Sequence, residues 1–155
     1  MAATRRYDAL IGTGGIGTGS FFALSGNHTL GREESRGGRF LDRRDYCKLH
    51  IICHYVQRLV GGDFKTMPVG KVGDDAPGHR LMAEMRSAGL DVSFTGIVPG
   101  EETLDCICLL YPDGSGGNLT VIDSASGRVT PDDVRKAAPW LKRFASRGIA
   151  LAVPE

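Results

Sequence analysis

The chain is 155 residues long, about one average domain, and can bury roughly two thirds of its unfolded surface around one core. Nineteen basic residues against eighteen acidic ones give a formal net charge of +1, which excludes the electrostatic footprint of a nucleic-acid binder and suits a neutral or small anionic ligand. The 22 glycines, about twice the usual share, require many tight turns or close backbone approaches.

Met1 to Tyr7 carries two arginines ahead of only a short apolar run, so it makes a poor secretory signal, and no stretch reaches the roughly 18 to 20 apolar residues of a membrane span. Tyr7 to Ile11 reads as a buried first strand ending in a glycine turn at Gly12. From Gly12 to Arg44 the chain is polar and glycine-rich and reads as an ordered loop. A helix is expected from Tyr46 to Val60. Asp45 caps its first turn, Leu49, Ile52, Cys53, Val56 and Leu59 recur at helical spacing, and Gly61-Gly62 stops it.

Phe64 to Val69 reads as a strand, with Pro68 arguing against a central place in a sheet. Pro77 to Ala88 reads as a helix with Asp75 near its cap and Gly89 at its end, followed by an extended stretch from Leu90 to Val98. Thr103 to Tyr111 and Leu119 to Ile122 read as two strands joined across the turn-forming run Pro112-Asp113-Gly114-Ser115-Gly116-Gly117, a hairpin that interrupts the alternation of strands and helices. Thr130-Pro131-Asp132-Asp133 is a helix start, and Val134, Ala137, Ala138, Leu141 and Phe144 form the apolar face of one helix ending at Gly148. Ile149 to Val153 is a buried-type strand. The expected fold is α/β, with a mostly parallel sheet flanked by helices and a small added β-hairpin.

Three local patterns carry candidate chemistry. Gly12-Thr13-Gly14-Gly15-Ile16-Gly17 satisfies G-x-G-x-x-G after a strand, and in an NAD(P) site such glycines admit a pyrophosphate to a helix N-terminus. The context does not complete it, since Gly26, Gly31, Gly37 and Gly38 interrupt the helix that should follow, and Glu33 and Glu34 fall in a polar stretch instead of at a strand end. Cys47, His50 and His54 share a helix face at i, i+3 and i+7. Two histidines four apart can hold zinc from one side, but with the remaining ligands unassigned the reading is a semi-polar helix edge facing a cleft or a neighbouring element. Cys106 and Cys108 alternate on a strand and read as packing residues, and four irregularly spaced cysteines without a signal peptide point to reduced thiols and a cytoplasmic protein.

The third pattern is Gly70-Lys71-Val72-Gly73-Asp74-Asp75 through Gly78, then Ala88-Gly89-Leu90-Asp91. It resembles the G-x-V-G-D-D-x-x-G…G-V-D block of the ribokinase-like (PfkB-type) carbohydrate kinases. The order that follows is also similar. Pro99-Gly100-Glu101-Glu102-Thr103 resembles the start of that family's lid hairpin, Tyr111-Pro112-Asp113-Gly114 its tip, and Ser124-Ala125-Ser126 through Val134 the stretch leading into the next helix. The resemblance spans residues 61 to 155. It implies that residues 1–155 are the N-terminal part of a ribokinase-like kinase domain, with 99–123 as the lid hairpin and the C-terminal ATP-binding half absent.

The resemblance further implies transfer of the ATP γ-phosphoryl group to a hydroxyl of a sugar or nucleoside. It places Gly14 and Gly15 of the first-strand turn, His50, His54 at the position of the family's sugar-contacting Asn, and Glu155 at the end of the last strand as substrate-binding residues. No catalytic, cofactor-binding or metal-binding residue is assigned, because the family's G-A-G-D motif does not occur, and ATP and Mg2+ are expected to be held outside these residues. A small-molecule substrate is the expected partner, with no nucleic acid or membrane and with homodimer formation through the lid hairpin. The competing expectations are an NAD(P)-binding oxidoreductase domain through Gly12 to Gly17 and a non-catalytic binding or assembly module.

Overall fold

A computed structural model describes residues 6–153. In chain order its elements are β1 (Ala9–Gly14), β2 (Gly17–Leu24), β3 (Gly38–Tyr46), α1 (Lys48–Val60), β4 (Lys65–Gly73) and α2 (Ala76–Ser87). Then come β5 (Thr95–Val98), β6 (Leu104–Leu110), β7 (Gly116–Thr120), a 3-10 turn (Ala125–Arg128), α3 (Pro131–Lys136), α4 (Ala138–Arg143) and β8 (Gly148–Val153).

The strands form two sheets. The body sheet has the order β5-β4-β1-β8, and its pairs are parallel throughout. Strand alternation sends Leu10 to one face, where it packs with Leu49, Cys53, Leu81 and Met85 of α1 and α2. Ala9 and Ile11 go to the other face, with Met67, Val69 and Ala137, under Val134, Trp140 and Phe144 of the α3–α4 segment. Burial on both faces explains why β1 reads as an unbroken apolar run. The chain thus has the α/β architecture with a parallel sheet flanked by helices that the sequence implies.

Pro68 lies on β4 in the middle of the sheet, contrary to expectation. Its backbone faces β5, as does that of Gly70 two residues on, whose N–H bonds Phe94 O. The β5 ladder begins only at the pair Gly70–Thr95, so the missing proline N–H falls where no strand asks for it, and the Pro68 carbonyl accepts from Thr95 Oγ1 at 3.0 Å. The single helix expected over 130–144 is two, because Pro139 has no N–H for the Arg135 carbonyl and the helix restarts at Ala138. At the start of α3 the Asp133 carboxylate accepts from Thr130 N and Thr130 Oγ1, each at 2.9 Å, and also meets Lys71 Nζ of β4 at 2.7 Å.

The larger correction concerns Gly12 to Arg44. Gly12 is no turn, since β1 runs on to Gly14, and the polar stretch contains β2 and β3. Together with the expected hairpin of β6 and β7 they make a second, mixed sheet in the order β3-β2-β6-β7. Pairing of β2 with β6 is parallel and with β3 antiparallel. The two loop tips are also tied, Leu30 N donating to Tyr111 Oη at 3.2 Å and Asp113 N to Asn27 Oδ1 at 3.0 Å. Asp45 belongs to β3 instead of capping α1, whose N-cap position is Cys47.

Candidate functional site

The body sheet is parallel, so the carboxyl ends of its strands lie on one side, and in such folds that side is where ligands enter. β1 and β8 end there at Gly14 and Val153, and the second sheet stands above them. Between the two lies a cavity of about 720 Å³ whose walls include Gly14, Gly15, Leu104, Thr120, Ser126 and Val153. Ser126 closes its inner side. Its Oγ accepts from Ile16 N at 3.1 Å and reaches Ile16 O at 3.1 Å, so the 3-10 turn is bonded to the loop between β1 and β2. The sequence reading overlooked Ser126, although it sits inside a block the family resemblance had marked.

The second sheet is anchored by the V-G-D-D-x-x-G segment. Asp75, the N-cap of α2, accepts from Gly78 N at 2.8 Å and from both Thr103 N at 2.8 Å and Thr103 Oγ1 at 2.5 Å. Thr103 Oγ1 in turn accepts from Gly73 N at 3.0 Å. Thr103 directly precedes β6, so one carboxylate joins the helix start, the end of β4 and the root of the second sheet. A side chain at Gly78 would collide with the Gly73 carbonyl, so this residue must be glycine for the knot to close. Burial acts to raise the Asp75 pKa, but the Thr103 and Gly78 hydrogen bonds outweigh it and hold the carboxyl below its usual value.

Of the residues expected at the substrate, Gly14 and Gly15 line the cleft. His50 and His54 do not join them. Leu49, Cys53 and Val56 take the core-facing phase of α1, so His50 and His54 turn toward α2 and line a separate groove of about 880 Å³ with Arg58, Arg80 and Glu84. Glu155 lies outside the described residues, two positions beyond the end of β8. The two histidines and the first-strand glycines thus line different pockets.

His50 is 3% exposed, and its Nδ1 has no hydrogen-bond partner among the described residues. Burial, reinforced by His54, lowers its pKa from 6.5 to about 4, so it is neutral at pH 7. The unfolded chain binds a proton there at higher pH than the folded one. Stability should accordingly fall as the pH drops from about 6.5 toward 4, by up to about 3 kcal/mol from this residue alone. Urea melts of the chain and of His50→Gln across that range check this. A wild-type curve parallel to the variant's between pH 6.5 and 4 would refute it.

The glycine fingerprint does not form a phosphate cradle. Gly12 and Gly14 lie in β1 and Gly17 opens β2, so the segment leads into no helix. A Cβ at Gly12 would come within 2.7 Å of Leu49 Cδ1, and one at Gly14 would collide with Val153 O. At these two positions the missing side chain makes room for neighbouring chain. The segment therefore fits neither the pyrophosphate of NAD(P) nor the triphosphate of ATP. Asp113-Gly114-Ser115 is a turn whose Asp113 Oδ1 accepts from Ser115 N at 2.9 Å, which occupies the carboxylate locally.

An α/β body with a parallel sheet, a ligand-sized cleft at its strand ends and a β-sheet rooted over that cleft is the architecture of ribokinase-like proteins. The model of the pfkB family carbohydrate kinases matches residues 52–149, and the chain belongs to that family. In fold it is similar to the ribokinase of Giardia lamblia, with a TM-score of 0.71 and 19% identity over 94% of this chain and 41% of that one. It is also similar to the ribokinase of Cryptococcus neoformans solved with ADP (TM-score 0.59, 16% identity, 96% of this chain and 50% of that one). A third is the nucleoside kinase of Burkholderia thailandensis solved with inosine (TM-score 0.59, 14% identity, 91% of this chain and 51% of that one). No curated protein matches the chain by sequence. The chain spans about half the length, or less, of these structures.

Proposed function

We infer that this chain is the sugar-binding half of a PfkB-type kinase that transfers the γ-phosphoryl group of ATP to a hydroxyl of a sugar or nucleoside. The observation that carries the reading is the cleft between the carboxyl ends of β1 and β8 and the sheet above it, with Gly14, Gly15 and Ser126 at its wall. In this reading the four-stranded sheet is the lid, and the hairpin over residues 99–123 is its outer half. Glu155, which lies outside the described residues, stays in this reading as a proposed substrate contact. Phosphoryl transfer needs in-line positioning, a base at the attacking hydroxyl and donors for the phosphoryl oxygens. The reading assigns ATP, Mg2+ and those groups to a part of the kinase other than residues 6–153. The test is equilibrium binding of a panel of pentoses, hexoses and nucleosides. One class should bind saturably at one per chain, and Ser126→Ala should weaken it about tenfold by freeing the Ile16 loop; failure of every compound to bind refutes the reading.

The lid's outer face supports a second element, self-association. Phe22 and Phe40 pack edge to face there, Phe40 is 64% exposed, and Leu119, paired with Ile107, is 60% exposed. Two lids joined on these faces would remove that apolar surface from water. Sedimentation at micromolar concentration should show a dimer that Phe40→Glu converts to a monomer; a wild-type monomer would contradict it. No helix among the described residues is long and apolar enough to cross a membrane.

A further inference from the structure

Three side chains capable of binding a metal meet on the lid sheet, at a place the kinase reading does not use. Asp45 on β3, Gly19 on β2 and Cys106 on β6 stand directly opposite one another in register. Strand alternation puts Cys108 on the same face two residues along β6. Because Gly19 has no side chain, nothing fills the space over the middle strand. A Cβ there would collide with Cys106 Sγ and lie 3.3 Å from Asp45 Cβ. The outer strands therefore reach one another across β2, and one ligand atom from each of Asp45, Cys106 and Cys108 falls within 4.8 Å of the other two.

The distances have the scale of a coordination shell. Two thiolates bound to zinc at about 2.3 Å in tetrahedral geometry are separated by about 3.8 Å, and Cys106 Sγ and Cys108 Sγ are 3.7 Å apart. The third corner is the Asp45 carboxylate, with Oδ2 at 3.0 Å from Cys108 Sγ. That half-buried carboxylate takes part in no ion pair among the described residues, and the one hydrogen bond it accepts comes from a thiol, a weak donor. A carboxylate so placed lacks the cation or strong donors that such groups ordinarily find.

We propose that Asp45, Cys106 and Cys108 form a binding site for a thiolate-preferring divalent cation of the zinc type, with water in the fourth position. Two sulfur ligands select zinc over magnesium or calcium, which take oxygen. Both thiol protons leave as the sulfur lone pairs bind, so uptake releases protons to buffer and needs no oxidant or reductant. The ion joins edge strand β3 to inner strand β6 across β2. It holds the lid sheet together on the face that continues, through Leu104 and Thr120, into the wall of the cleft. This site is independent of the catalytic assignment.

The full chain, reduced and stripped of metal, is titrated with Co2+. Sulfur-to-cobalt charge-transfer absorption and visible bands of tetrahedral intensity should appear, saturate at one ion per chain and vanish on adding Zn2+. Zn2+, and not Mg2+, should raise the unfolding temperature. Cys106→Ser and Cys108→Ser should each change the charge-transfer band, and the near-isosteric Asp45→Asn should weaken binding by at least about tenfold. Cys47→Ser, whose thiol lies outside the cluster, should leave the spectrum intact. Absence of a thiolate band in the wild-type chain overturns the proposal, as does a band that survives Cys106→Ser and Cys108→Ser together or one that Cys47→Ser abolishes.

Discussion

Asp75→Ala is expected to destabilise the chain by about 3 kcal/mol, lowering the unfolding temperature by about 10 °C. The substitution removes a helix cap, which alone is worth about 1 kcal/mol. It also leaves Thr103 N–H, Thr103 Oγ1 and Gly78 N–H without the acceptor they now share. The neighbouring Asp74 supplies the control. It is half exposed and its side chain pairs, among the described residues, with the exposed His79, so Asp74→Ala should change stability by no more than about 0.5 kcal/mol. The difference between two adjacent aspartates is the test, and equal effects would show that the knot does not hold the lid.

The same carboxylate has a pH signature. Its folded-state pKa lies below the unfolded value, so its contribution is fully present at neutral pH, above the unfolded pKa, and is lost as the pH falls through the folded one. Asp75→Ala should therefore narrow the stability gap to wild type in strong acid. A gap that widened there would contradict the assignment.

The second large effect is on activity. A coupled ADP-release assay with sugars and nucleosides should give turnover at the level of the no-enzyme control for residues 1–155. Losing a general base alone lowers such rates by about 10² to 10⁴, and without a nucleotide site the co-substrate is missing as well. The glycine segment that could have held phosphates is closed by Leu49 and Val153. Sugar-dependent ADP release from the purified chain would refute the division of labour proposed for its residues.

Much of the body was legible because its signals are local. Apolar runs gave β1, β4 and β8, although β1 and β4 run past their expected ends, and capping residues placed α2 and the start of α3 within a residue or two. The lid's inner half was not legible. β2 carries Gly17 and Gly19, which lower strand propensity, and β3 carries Arg39, Asp42, Arg43, Arg44 and Asp45 on a largely exposed edge. β2 is specified by its parallel register with β6, where Gly17 meets Leu104, and β3 by its pairing with β2, and composition does not reveal such non-local pairing.

The site was legible in part for the same reason. Gly14 and Gly15 were found because they end a recognisable strand. Ser126 acts through a bond to Ile16, 110 residues earlier in the chain. His50 and His54 were placed by the resemblance alone, and the core phase set by Leu49 and Cys53 turns them toward α2. Cys106 and Cys108 read as packing residues until register brought Asp45 beside them.

The most direct test of the central claim is a backbone amide NMR titration of the isotope-labelled chain with the sugar or nucleoside that binds. The account predicts shift changes concentrated at Thr13 to Ile16, Leu104, Thr120 to Ser126 and Ala152, around the cleft at the ends of β1 and β8. Changes confined to His50, His54 and Arg80, in the groove between α1 and α2, would place the ligand elsewhere and contradict it.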